Sequence, residues 1–296
     1  MSTAFVLTGG ASLGAAQVGM LQALSERGIW PDLLLGHSVG ALNAAWVGGH
    51  PDPGQLDGLA RIWRKMRRED VFPRRSFGAT LRRRGEGYLV SPDGLRVVIQ
   101  RNLQIRRLEE ARIPLHVVAT DVLNGGGVVL TRGNAVTALL ASTAIPGVYP
   151  PVRIAGRDLM DGGVANFAPV SHAVALGADQ VYVLPTGYAS ALKEAPRTAL
   201  GIALHAHTIH VDRRMQTDIE AIGLQEEQVD LRVVPAPSAL GISPADFSHA
   251  DELIGRAREW TAAWLSEPRW RRPLRRGVPE GDGKREERQL SNRTSR

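Results

Sequence analysis

The 296-residue chain has no cysteine. That excludes a disulfide framework, a thiolate metal site and a cysteine nucleophile, and it suits a reducing compartment, so the cytoplasm is the expected location. No apolar run approaches the roughly 20 residues of a membrane span. The opening Met1-Ser2-Thr3-Ala4-Phe5-Val6-Leu7-Thr8 lacks the basic start and long apolar core of a signal peptide. Internal repeats are absent, as are the Gly-x-Gly-x-x-Gly fingerprint and the Gly-Lys-Ser/Thr phosphate loop, which argues against nucleotide binding.

What is present is a chain that is 43% hydrophobic, enough for one α/β domain of ordinary core size. The formal charge of +6 and pI near 10.2 are unevenly distributed. Glu267 to Arg296 holds ten Lys/Arg against five Asp/Glu, so the body before it is nearly neutral. Few apolar residues follow Trp264, and 267–296 is expected to be a disordered basic tail on a domain spanning 1–266. Within the body, Arg61 to Arg107 carries fourteen basic residues against four acidic ones. That segment suits either anionic headgroups or a solvated basic surface.

Strand patterns fall at Ala4–Thr8, Asp32–Gly36, Pro114–Thr120, Gly126–Thr131, Val152–Ile154, Asp158–Met160, Gln180–Leu184 and Asp230–Val234, with a tight turn expected at Gly156-Arg157. Helical patterns fall at Gly14–Arg27, Ser38–Gly48, Asn134–Ser142, Arg197–Ile222 and Asp246–Leu265. The alternation predicts a mostly parallel sheet with helices on its faces. It is interrupted from about Gln55 to Arg107 by a helical, arginine-rich insertion broken at Pro73 and at Gly85-Glu86-Gly87.

Two copies of Gly-x-Ser-x-Gly stand at strand-to-helix junctions: Gly10-Ala11-Ser12-Leu13-Gly14 and Gly36-His37-Ser38-Val39-Gly40. A serine on such a turn is exposed as a nucleophile in many ester hydrolases. The first copy, preceded by Gly9, also clusters backbone N–H groups at a helix start, where negative charge is stabilised. One loop can therefore hold the attacking serine and the other the oxyanion. Spacing alone leaves open whether Ser38 or Ser12 attacks.

Gly9-Gly10-Ala11-Ser12-Leu13-Gly14, then Gly36 to Gly40, then Asp161-Gly162-Gly163, with Ala119-Thr120-Asp121 and Ala141 to Pro151 between them, form an ordered series. The series resembles that of the patatin-like phospholipases over about Ala4 to Gly163. The resemblance implies a three-layer fold with a helical insertion after the nucleophile helix. It implies Ser38 as nucleophile, Asp161 as its general base, and Gly9, Gly10, Ala11 and Ser12 as the oxyanion hole. No metal, organic cofactor or catalytic histidine is implied. Two positions depart from the family, Ala11 for a third glycine and Leu13 for a basic residue.

The reaction implied is hydrolysis of lipid carboxylic esters through an acyl-enzyme, as a phospholipase A or lysophospholipase, with peripheral membrane contact through Arg61 to Arg107. A soluble carboxylesterase or thioesterase is the first alternative. A weakly catalytic nucleic-acid- or partner-binding protein is the second, although no nucleic-acid module is recognisable. A Ser38-Asp-His triad is a further possibility, with His172, His205, His207, His210 or His249 as base. On one helix His205 and His207 project about 200 degrees apart, which argues against a shared metal. Asp121 is expected to be structural, Trp46, Trp63, Trp260 and Trp264 to pack helices, and Trp63 alone to be a candidate lipid anchor.

Overall fold

The structure is a computed structural model and describes residues 1–73, 88–165, 169–186, 194–225, 229–236 and 241–267. The expected Gly85 to Gly87 loop and nearly all of the 267–296 tail lie outside these residues. The strands are β1 (Thr3–Leu7), β2 (Leu33–His37), β3 (Leu115–Asp121), β4 (Gly127–Leu130), β5 (Val152–Ile154), β6 (Arg157–Asp161), β7 (Gln180–Leu184) and β8 (Asp230–Val233). Helices α1 (Ala15–Ser25), α2 (Val39–Gly49) and α3 (Leu56–Lys65) follow the first two strands.

Parallel pairings join β3, β2, β1, β7 and β8 into the centre of the sheet. Both faces of this centre are covered, as the near-continuous apolar runs of β1 and β2 require. Along β1, Phe5 and Leu7 belong to a cluster with α1, α2 and the helix Ala250–Ser266, whereas Ala4 and Val6 pack with Val170, Ala173 and Met215 on the opposite face. The period of two places successive side chains in different layers, giving the three-layer architecture. No helix among the described residues is long and apolar enough to cross a membrane.

The antiparallel part of the sheet positions the site. β3 residues Val117 and Val118 pair with both β2 and β4, and Ala119 and Thr120 with both β4 and β6. With β4 filling one edge of β3, β2 and β6 must share the other, end to end. The registers His37↔Val118 and Asp161↔Ala119 then bring the end of β6 against the end of β2. Chain positions more than a hundred residues apart meet there.

Three boundaries differ from the sequence expectation for local reasons. The β5–β6 turn is Ala155-Gly156, both with positive φ (48° and 81°), because Arg157 already pairs with Ile154. Asp246 accepts the N–H and hydroxyl of Ser248, forming a turn that delays the last helix to Ala250. A six-residue helix, Val170–Ala175, was too short for its periodicity to register. The basic insertion contains α3 and the helices Arg68–Val71 and Asp93–Asn102.

Candidate active site

Ser38 joins β2 to α2 with φ 52° and ψ −132°. A non-glycine residue in such a conformation is strained by about 1–3 kcal/mol and needs its surroundings to hold it. Here its N–H donates to both Oγ and the carbonyl oxygen of Ser142, at 3.0 and 3.1 Å, while Ser142 Oγ donates to the Val118 carbonyl at 2.6 Å. The elbow is thus tied to the central strand β3. The side chain sits at the start of α2 and is 5% exposed.

Asp161 closes β6 and is wholly buried. Its Oδ1 accepts the Gly163 N–H at 2.8 Å and lies 3.5 Å from His207 Nε2 and 3.7 Å from His37 Nδ1. Its Oδ2 has no hydrogen-bond partner among the described residues. Burial works to raise the carboxyl pKa, but the adjacent imidazoles of His207 and, secondarily, His37 prevail and hold it below the ordinary carboxylate range. Among the described residues Oδ2 stays unengaged, and the lowered pKa makes the carboxylate a weaker base than an ordinary one.

The glycine-rich loop leans on the same elbow. Gly9 donates its N–H to His37 Nε2 at 3.0 Å and Ser12 donates its N–H to the Pro244 carbonyl at 3.1 Å. Of the four backbone donors expected at the oxyanion hole, those of Gly9 and Ser12 are therefore occupied in this structure. Among the described residues, the N–H groups of Gly10 and Ala11 have no hydrogen-bond partner. Both residues have positive φ, 151° and 50°, and a Cβ on Gly10 would come within 2.2 Å of Thr186 Oγ1. Glycine is required at the first position, and alanine accepts strain at the second. Below the loop, Gln17 donates to the Thr8 and Leu184 carbonyls, Asn43 to Gly14 and Gln17, and Trp63 to Asn43 Oδ1. This buried network fixes the loop against both sheet and helices.

Ser38 and Ala11 stand in the wall of a half-open cleft of about 90 Å³. The rest of the wall is almost entirely hydrocarbon, from Val39 and Leu42 on α2, Leu59, Ile62 and Trp63 on α3, and Leu95, Val98 and Ile99 on the helix Asp93–Asn102. Asn43 also lines it, but its amide is satisfied by the network beneath. The insertion therefore supplies one side of the cleft. Such a wall suits an apolar group.

Ser12 is absent from this wall, and its hydroxyl donates to the Ser243 carbonyl at 3.2 Å. Trp63, considered as a lipid anchor, is instead 3% exposed, because its indole N–H is engaged by Asn43. Asp121 accepts the Leu123 N–H and lies 4.0 Å from Arg157. Of the five histidines considered for a triad, His172 faces His116 at 3.3 Å, His249 pairs with Asp246 and Glu252, and His207 reaches Asp161. No group of three or more potential ligands is placed to hold a metal among the described residues. The partners of His37, Ser142 and His207 lie far along the chain and carry no local sequence signal.

The chain belongs to the patatin-like phospholipase family, whose family model matches residues 5–174. It is 35% identical over 179 residues to an uncharacterised NTE family protein of Mycobacterium bovis, covering 60% of this chain and 46% of that protein. It is 29% identical over 242 residues to patatin-like phospholipase domain-containing protein 7 of Rattus norvegicus, covering 78% of this chain and 17% of that one. A lysophospholipase NTE1 of Mycosarcoma maydis is 29% identical over 195 residues, covering 63% and 10% respectively. The chain spans less than half the length of these relatives.

Proposed function

We propose that this protein hydrolyses carboxylic esters of lipids, as a phospholipase A or lysophospholipase, with Ser38 as nucleophile and Asp161 as general base. The observation that carries the reading is a strained, backbone-clamped serine in the wall of a hydrocarbon-lined cleft. Family membership and the name of the fungal relative, a lysophospholipase, support the substrate class. In the first step Ser38 Oγ attacks the ester carbonyl carbon and its proton passes to Asp161. The N–H groups of Gly10 and Ala11 receive the oxyanion. Collapse of the tetrahedral intermediate expels the alcohol, which takes the proton from Asp161, and leaves an acyl-enzyme with its chain in the cleft. Water, deprotonated by Asp161, attacks the acyl carbonyl and releases the fatty acid and Ser38.

The test is turnover of a p-nitrophenyl ester series and labelling by a fluorophosphonate in the wild type, Ser38→Ala, Ser12→Ala and Asp161→Asn. Ser38→Ala is expected to abolish both signals, Asp161→Asn to lower turnover by about 10²–10⁴-fold, and Ser12→Ala to retain both. Turnover that survives in Ser38→Ala refutes the assignment. Part of the basic segment lies on α3 beside the cleft, and it is the surface proposed to meet anionic headgroups. Recruitment to anionic but not neutral vesicles by flotation tests that role.

A further inference from the structure

The partners of the Asp161 carboxylate are one-sided. Oδ1 takes the Gly163 N–H at 2.8 Å and has His207 Nε2 at 3.5 Å and His37 Nδ1 at 3.7 Å, whereas Oδ2 has no partner among the described residues although Asp161 is fully buried. A buried carboxylate oxygen without a donor is costly unless its work requires it to be open. His207 comes from the long helix Ala199–Gln225, which lies beyond the residues 5–174 matched by the family model. Its side chain is only 16% exposed.

We propose that His207 is a positioning residue of the hydrolytic site: its imidazole holds Oδ1 of Asp161 and so turns Oδ2 toward the Ser38 proton. This rests on the Ser38-Asp161 reading above. Neutral imidazole, with its hydrogen on Nε2, and imidazolium can each donate to Oδ1, so the clamp needs no particular charge on the ring.

Asp161 faces His207 from the β6 end, and His37 shares the same carboxylate oxygen. The turn Gly162–Val164, packed against its helix, has no titratable side chain. On the packed helix Val170–Ala175 the titratable group is His172, which is turned to His116 at 3.3 Å. His205, His210, Asp212, Arg213, Arg214, Asp218 and Glu220 share its own helix.

The experiment compares kcat and KM on a p-nitrophenyl ester for the wild type, His207→Ala and His207→Gln, with thermal unfolding of each. Loss of the clamp in His207→Ala is expected to lower kcat by about 10- to 100-fold with little change in KM, the effect of a misplaced catalytic group. His207→Gln restores a neutral donor, so it should recover much of that loss. Wild-type kcat in both variants overturns the proposal. So does an equal loss in both, which marks a merely structural side chain. Activity in Asp161→Asn with none in His207→Ala would make His207 itself the base and also overturns it. If the alanine variant does not fold, His207→Leu, which fills the site without a donor, takes its place in the comparison with His207→Gln. Turnover in Ser38→Ala removes the underlying reading, whereas a silent Ser38→Ala with unaffected His207 variants removes only this assignment.

Discussion

Replacing Gly40 by alanine tests how the two Gly-x-Ser-x-Gly loops depend on each other. Gly40 lies in the first turn of α2, two residues beyond Ser38. A Cβ there would stand 2.2 Å from the Leu7 carbonyl oxygen, 2.4 Å from its carbon and 2.6 Å from the Thr8 oxygen. All three are backbone atoms of the central strand's end, so no side-chain rotation can relieve the contact. Reaching ordinary separation requires α2 and β1 to part by roughly 1 Å, and such overpacking costs about 1–3 kcal/mol or more. At about 2–4 °C per kcal/mol for a domain of this size, a cost at the upper end lowers Tm by about 6–12 °C. The same movement carries Gly10 and Ala11 away from Ser38, and a misplacement of that size can reduce kcat by about 100-fold. Differential scanning calorimetry with fluorophosphonate labelling kinetics measures both. A Tm within about 2 °C of wild type together with an unchanged labelling rate would refute the argument that these backbones are in forced contact.

The counterpart is Gly255→Ala, at an exposed site within the helix Ala250–Ser266 where an added Cβ meets nothing within 4 Å; it should stabilise by about 0.5–1 kcal/mol, read as a small rise in the urea midpoint at constant m. Trp63→Phe removes the donor to Asn43 Oδ1 in a buried site and should destabilise by about 1–3 kcal/mol, whereas a shift below a few tenths in chemical denaturation would contradict the network. Because the Asp161 carboxyl is held below its ordinary value, its contribution to stability is fully present above the unfolded carboxyl pKa of about 3.9 and is lost as pH falls through the lower folded value. The acid slope of stability below about pH 4 should accordingly be shallower in Asp161→Asn than in wild type, and superimposable slopes would count against the ionised carboxylate.

Much of the layer structure is local in origin, which is why it was legible. The apolar runs at Ala4 to Leu7 and Leu33 to Leu35 become parallel strands buried on both faces, and Asn134 caps the helix after it through its side-chain bond to the Thr137 N–H. Boundaries failed where a short-range bond competes with the period. Asp246 is one such case, since its turn with Ser248 postpones the final helix.

The sequence by itself determined the order of the motifs, the two serine elbows, the strand-helix alternation and the family, because strand and helix periods, glycine-bearing turns and the motif series are all written in adjacent residues. Only the tertiary structure decided which backbone donors stay open, since Gly9 is engaged by His37 and Ser12 by Pro244. It also decided that Trp63 is an inner wall residue, and that His207 reaches Asp161. These outcomes depend on contacts between residues 20 to 232 positions apart. They arise from sheet register and helix packing, which no short stretch of sequence encodes.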